Sequence, residues 1–152
     1  EGDGVICVNE GIGSIVCLGN PNSTGVGAVL IARGSVAVAD DDTTLEVSGL
    51  PQDRTVLFVN SRDTVLVANP GGSQGDLCIG SLAMGRHLDD IANSGATGSA
   101  SLTLDLADVP TNLGSTAMVA GETWFWQAWY RDVDTSGAPS SNFSSALGVT
   151  FQ

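Results

Sequence analysis

Lysine is absent from the chain, and histidine occurs once, at His87. Five arginines (Arg33, Arg54, Arg62, Arg86 and Arg131) face seventeen acidic residues, for a net charge of -12. That sign repels phosphate backbones and anionic headgroups, which argues against nucleic acid and membrane surfaces as partners. Charge of either sign is scarce, at 14% of residues against about a quarter in an ordinary domain. No apolar run approaches the ~20 residues that span a bilayer as a helix, so membrane insertion is not expected. The opening Glu1-Gly-Asp-Gly4 has neither the basic segment nor the apolar stretch of a secretion signal, which leaves a processed start as the expectation. Catalytic and cofactor motifs are missing too. There is no Cys-x-x-Cys for zinc and no Gly-x-Ser-x-Gly nucleophile elbow. The pairs Gly11/Gly13 and Gly25/Gly27 lack the third glycine and following helix of a nucleotide site. No cofactor is expected.

What the chain does have is small residues, turn formers and alternation. At 152 residues it is long enough for one domain with a real core. Its composition suits an extracellular setting. There are three cysteines, Cys7, Cys17 and Cys78. In a secreted chain an odd count means one pair and a leftover thiol, or a bridge between molecules.

Period-two patterning dominates. Leu102, Leu104 and Leu106 fall on one face of a strand over 101–106, Leu45 and Val47 on one face of 44–48, and Val36 and Val38 on one face of 35–39. Leu147, Val149 and Phe151 alternate at the end of the chain. The continuous runs 28–32, 55–59 and 64–67 read as strands covered on both faces. Turn signals at Asn20-Pro21, Gly49-Leu50-Pro51, Asn69-Pro70-Gly71-Gly72 and Ser136-Gly137-Ala138-Pro139 separate them. About ten short strands so punctuated predict an all-β, antiparallel β-sandwich or jelly-roll-like fold. A single helical turn is expected near 88–92, and 109–118 reads as a loop.

The first residues stand apart. Val5, Ile6, Cys7 and Val8 form a short apolar strand, followed by Glu10-Gly11-Ile12-Gly13, read as a hinge. Residues 1–14 are therefore expected to form an N-terminal strand and hinge, and 15–152 the sandwich domain. A tethered strand can pair with its own sheet as an ordinary first hairpin or with a neighbouring copy's sheet. The spare thiol of Cys7 on that strand favours the neighbour.

Four segments are distinctive: CLGNPNSTG (17–25), GGSQGDLCIG (71–80), GETWFWQAWYRD (121–132) and SNFSSALGVTFQ (141–152). Together they resemble a module common at the C-termini of large secreted proteins of planctomycetes and related bacteria. The resemblance covers roughly residues 15–152. Asp76 stands where that module favours Asn, and 81–86 replaces a shorter Gly-x-Ile-Gly-Arg. The module has no assigned biochemical activity. The resemblance implies a Cys17–Cys78 bridge and leaves Cys7 free. Such a bridge closes a loop of about 60 residues and contributes about 3–4 kcal/mol.

The remaining chemistry is sparse. His87 lacks a recognisable partner for Ser-His-Asp catalysis and reads as structural. The acidic clusters Asp40–Asp42, Asp89/Asp90 and Asp132/Asp134 meet a glycosidase's need for two carboxylates only by abundance, and all fall at expected turns. Asp132, Asp134 and Ser136 space oxygen atoms as a calcium loop does, but Phe143 sits where the bidentate acid belongs. Trp124, Trp126 and Tyr130 share one face of an aromatic strand. That face reads first as core and second as a glycan-stacking platform. Asn22 and Asn142 begin glycosylation sequons. The leading expectation is a non-catalytic extracellular subunit that polymerises head to tail by strand donation. The alternative is a secreted glycan- or calcium-binding module of a larger protein.

Overall fold

The computed structural model describes residues 11–80 and 83–152. The expected donor strand, Val5, Ile6, Cys7 and Val8, lies outside the described residues. The fold is all-β, built from antiparallel sheets packed in the manner of a sandwich whose sheets do not close.

In chain order the strands are β1 Ser14–Cys17, β2 Val29–Gly34, β3 Thr43–Ser48, β4 Thr55–Ser61, β5 Thr64–Ala68, β6 Asp76–Ile79 and β7 Gly85–Arg86. They continue with β8 Ala92–Asn93, β9 Ala100–Thr103, β10 Val109–Thr111, β11 Gly114–Thr116, β12 Thr123–Val133, β13 Pro139–Phe143 and β14 Ala146–Thr150. The main sheet runs β1-β14-β12-β4-β7, with β13 on β12 and β8 on β4. Opposite it lies a three-stranded sheet, β2-β3-β9. Leu30, Leu45, Val47 and Leu102 from the smaller sheet meet Val56, Phe58, Trp124, Trp126, Tyr130, Leu147 and Val149 from the larger one in a single core. Burying rings of this size is the main stabilising term, at about 25 cal/mol per Å² of apolar surface. Trp126 packs against Trp124 at 6.5 Å and edge-on to Phe151 at 6.1 Å.

One corner joins the two sheets. Between β13 and β14, the Ser144 hydroxyl accepts from the Ala128 N–H at 2.9 Å, and the Ser145 hydroxyl accepts from the Leu30 N–H at 3.0 Å. Two serine side chains thus stand in for a strand neighbour where the ladder breaks.

Several expectations need correction. The run 35–39 is not a strand: Gly34, at φ 112°, ends β2, and Val38–Asp40 forms a 3₁₀ turn. The Ser35 hydroxyl organises that turn by donating to Asp40 and accepting from the Ala37 N–H. Val36 and Val38 still pack on the core. Strand β9 stops at Thr103, yet Leu104 and Leu106 remain buried because their N–H groups bond to Thr43 and Asp41. The expected loop at 109–118 contains the β10–β11 hairpin. Strand β2 is covered on one face only, and β5 is exposed along its whole length. The expected turn near 88–92 is present as a 3₁₀ turn at Leu88–Asp90.

The domain also begins earlier than residue 15. Ile12 forms an antiparallel bridge with Ala32 and packs on the core. Gly13 is not a hinge: it holds φ 81°, and a Cβ there would overlap the Gly148 carbonyl.

Candidate functional site

Residues alternate across the main sheet, so what does not face the core faces outward. Leu57 and Val59 of β4, Phe125 and Trp129 of β12 and Ala146 of β14 form this outer surface. Among the described residues, the two-stranded β5–β6 hairpin lies over it. Cys78 and Ile79 of β6 pack there against Val59 and Ala146.

Beyond the bonds of its connecting turn, where Ser73 and Gln74 donate to the Ser141 carbonyl, two devices hold the hairpin down. The Cys17–Cys78 disulfide, with Cα atoms 6.5 Å apart, ties β6 to β1 as the resemblance implied. Gln127, fully buried in the middle of β12, supplies the other. Its carboxamide oxygen accepts from the Cys78 N–H at 2.9 Å, and its nitrogen donates to the Asp76 carbonyl at 2.9 Å and the Ser144 carbonyl at 2.8 Å. One side chain thereby acts as a neighbouring strand for β6.

The cover is incomplete. A groove of about 620 Å³ separates β1 from β5, lined by Val16, Cys17, Val65, Leu66, Cys78 and Phe125. A second of about 290 Å³ is lined by Leu57, Val59, Leu77, Met84, Trp129 and Phe143. Among the described residues β5 pairs only with β6, and β1 only with β14. Leu66 is 71% exposed, Val65 44% and Val16 44%. The site is therefore an apolar groove flanked by two strand edges that have no second partner among the described residues.

The other sequence candidates are placed differently. Asn22 and Asn142 are buried, which corrects the glycosylation expectation. The Asn22 nitrogen that would carry a glycan donates to the Gly49 carbonyl at 2.7 Å and the Tyr130 hydroxyl at 3.1 Å. That of Asn142 donates to the Pro21 carbonyl at 3.2 Å. Burial pushes the Tyr130 phenol up to about 12.

The calcium set is not assembled as a loop. Asp132 is buried and accepts from the Ser23 N–H at 2.9 Å. Asp134 is half-buried, and its Oδ1 is taken by the Ser136 hydroxyl and by the N–H groups of Ser136 and Ala138. The Ser136 hydroxyl, with those backbone donors, holds the Asp134 carboxyl below its usual range. Among the described residues no three His, Cys, Asp or Glu side chains come together as a metal group. Trp124, Trp126 and Tyr130 are core, so they offer no face to a sugar. Trp129 lies on the outer surface with the Arg131 guanidinium 5.0 Å from its ring.

His87 lines a cleft of about 430 Å³ with Arg86, Asp89, Asp90, Asp105 and Asp108. It is itself buried. The Asn60 oxygen accepts from the Gly85 N–H, which turns the Asn60 nitrogen toward His87 Nε2 at 3.2 Å. Nε2 must then be unprotonated. Burial lowers the imidazole below its usual 6.5, only partly opposed by Asp90. The ring is a neutral structural acceptor with no nucleophile bonded to it.

Sequence reading missed Gln127, Asn60, Ser144 and Ser145, whose roles are to satisfy buried backbone groups. Gln127 carried one visible signal, a polar residue in the middle of an aromatic strand. No helix among the described residues is long and apolar enough to cross a membrane. No protein-family model, curated protein or solved structure matches this chain.

Proposed function

We propose that this protein is a non-catalytic structural subunit of an extracellular assembly, in which Val5, Ile6, Cys7 and Val8 of one copy add a strand to the next. The observation that carries this reading is the exposed apolar edge of β5. Its sequence, Thr-Val-Leu-Val-Ala, contains no charge and no proline. Monomeric β proteins often protect their edges with those residues. Among the described residues β5 has one irregularity, a register shift against β6 between Thr64 and Val67. A tail on one surface and a groove on another make a heterologous contact, and repetition of such a contact gives a filament.

The Cys17–Cys78 disulfide supports an oxidising, secreted setting. So does the resemblance of residues 15–152 to a secreted module. The rival reading, a glycan- or calcium-binding module, has less behind it. Its aromatic face is in the core, and Asp132 and Asp134 are engaged in backbone bonds. Electron microscopy and size-exclusion chromatography of the full chain and of a variant lacking residues 1–10 test the proposal. Filaments or multimers are expected from the first and dispersed particles from the second. Unchanged multimers without the tail would refute it.

A further inference from the structure

Two arginines bracket the smaller outer groove without an acidic partner. The ion pairs among the described residues are Arg33–Glu46 and Arg62–Glu122, so neither Arg86 nor Arg131 is matched to a carboxylate there. We infer that this groove binds a small amphipathic anion, an aliphatic or aromatic acid whose apolar body lies against Leu57 and Trp129 and whose carboxylate meets the Arg86 guanidinium. The inference does not depend on strand donation.

The sheet register builds the site. Trp129 stands opposite Leu57 on one side and Phe143 on the other, making one apolar row across β4, β12 and β13. Arg86 stands opposite Val59, two residues along β4 from Leu57, so it shares the outer face at one side of that row. Arg131, two residues beyond Trp129 on β12, flanks the other side, with its guanidinium 5.0 Å from the indole ring. Rows two residues apart on a strand are about 7 Å from each other, so one small molecule on the apolar row has positive charge on both sides. Leu77 of β6 and Met84 wall the groove, whose volume is about 290 Å³, close to the lower end of the ~300–1,000 Å³ of ligand pockets.

Charge selects the sign of the ligand. The chain carries seventeen acidic residues, yet none lines this groove. Arg86 also borders the neighbouring cleft, where Asp89, Asp90, Asp105 and Asp108 repel anions, so the apolar side is the one open to a carboxylate. A guanidinium presents its N–H fork to both oxygens of such a group, and an apolar wall beside it strengthens the contact by lowering the local dielectric. A neutral apolar molecule would leave that fork unused, and a cation would face both arginines. A sugar fits poorly, because Arg131 already lies over the Trp129 ring and, apart from Arg86, the lining is Leu, Val, Met, Phe and Trp.

Calorimetric titration of the full chain with sodium octanoate, below its micelle-forming range, tests this, with octanol as the uncharged comparison. Wild type is expected to bind one octanoate per chain saturably, and octanol about tenfold more weakly, the loss expected for one hydrogen-bonded charge. Arg86→Gln should weaken octanoate by about the same factor and leave octanol unchanged. Arg86 is exposed, so that variant is expected to keep the wild-type melting temperature. Leu57→Trp fills the groove and should abolish binding of both molecules; Leu77→Trp replaces it if Leu57→Trp melts below wild type. No saturable octanoate binding by wild type would overturn the inference. So would equal affinity for octanol, an Arg86→Gln variant that binds octanoate as wild type does, or a folded groove-filling variant that still binds. None of these results touches assembly through β5, which chromatography of the unliganded chain reads separately.

Discussion

The side-chain oxygen of Gln127 lies 2.9 Å from the backbone nitrogen of Cys78, joining the centre of the longest strand to a hairpin it does not pair with. The same carboxamide reaches Asp76 and Ser144, so one residue serves three backbone groups on two segments. The hairpin and the main sheet are consequently one unit at this point.

Gln127→Leu keeps most of the side-chain volume but strips partners from three backbone groups. Buried polar groups left unmet cost about 1–3 kcal/mol each, and the losses here share one site. A destabilisation of about 3 kcal/mol or more is expected in urea or guanidinium unfolding. Amide exchange at Cys78 should accelerate more than exchange in β4 and β12. Equal acceleration everywhere would mean that Gln127 supports the fold in general, not the hairpin in particular.

His87 makes stability depend on pH. Its folded value is lowered by burial, so the native state binds fewer protons than the unfolded chain between that value and 6.5. Stability from this group is complete above about 6.5 and falls as pH drops through and below it. The melting temperature should therefore decline between pH 7.5 and 5. His87→Gln, which cannot titrate, should flatten that part of the profile. A decline of the same slope in the variant would assign the effect to the carboxylates instead.

Gly13→Ala separates a locked position from a mobile one. At φ 81° and against the Gly148 carbonyl, an added methyl group must displace β1 or β14. The expected loss is about 2 kcal/mol or more, combining backbone strain with overlap. A flexible linker would respond in the opposite direction, with a small gain from the stiffer unfolded chain. Thermal unfolding of the single variant decides between them.

The all-β class, the aromatic core strand and the Leu45/Val47 and Leu147/Val149 faces were legible in the sequence because alternation reports burial directly. Three kinds of feature were not. Val36 and Val38 alternate like strand residues, but Ser35 offers the backbone a local turn that competes with pairing. The run 64–67 has the composition of a buried strand and yet is exposed; nothing in a single chain's hydropathy shows whether a covering layer exists. The sequons at Asn22 and Asn142 are accurate as patterns, but burial and hydrogen bonding are tertiary properties. At the candidate site, the groove comes from residues on four strands and could emerge only from the fold.

The disulfide links the two ends of the proposed contact within each subunit. Tension along a filament would enter a molecule through the stretch before β1 and leave through the hairpin holding the next copy's tail. Cys17 and Cys78 join those two places covalently, so most of the pull bypasses the strands packed around Trp126. Under an oxidising solvent such a filament would resist stretching at every body and give way at the strand contacts between them. Under a reductant the same force would peel the hairpin first, and the fibre would soften before it broke.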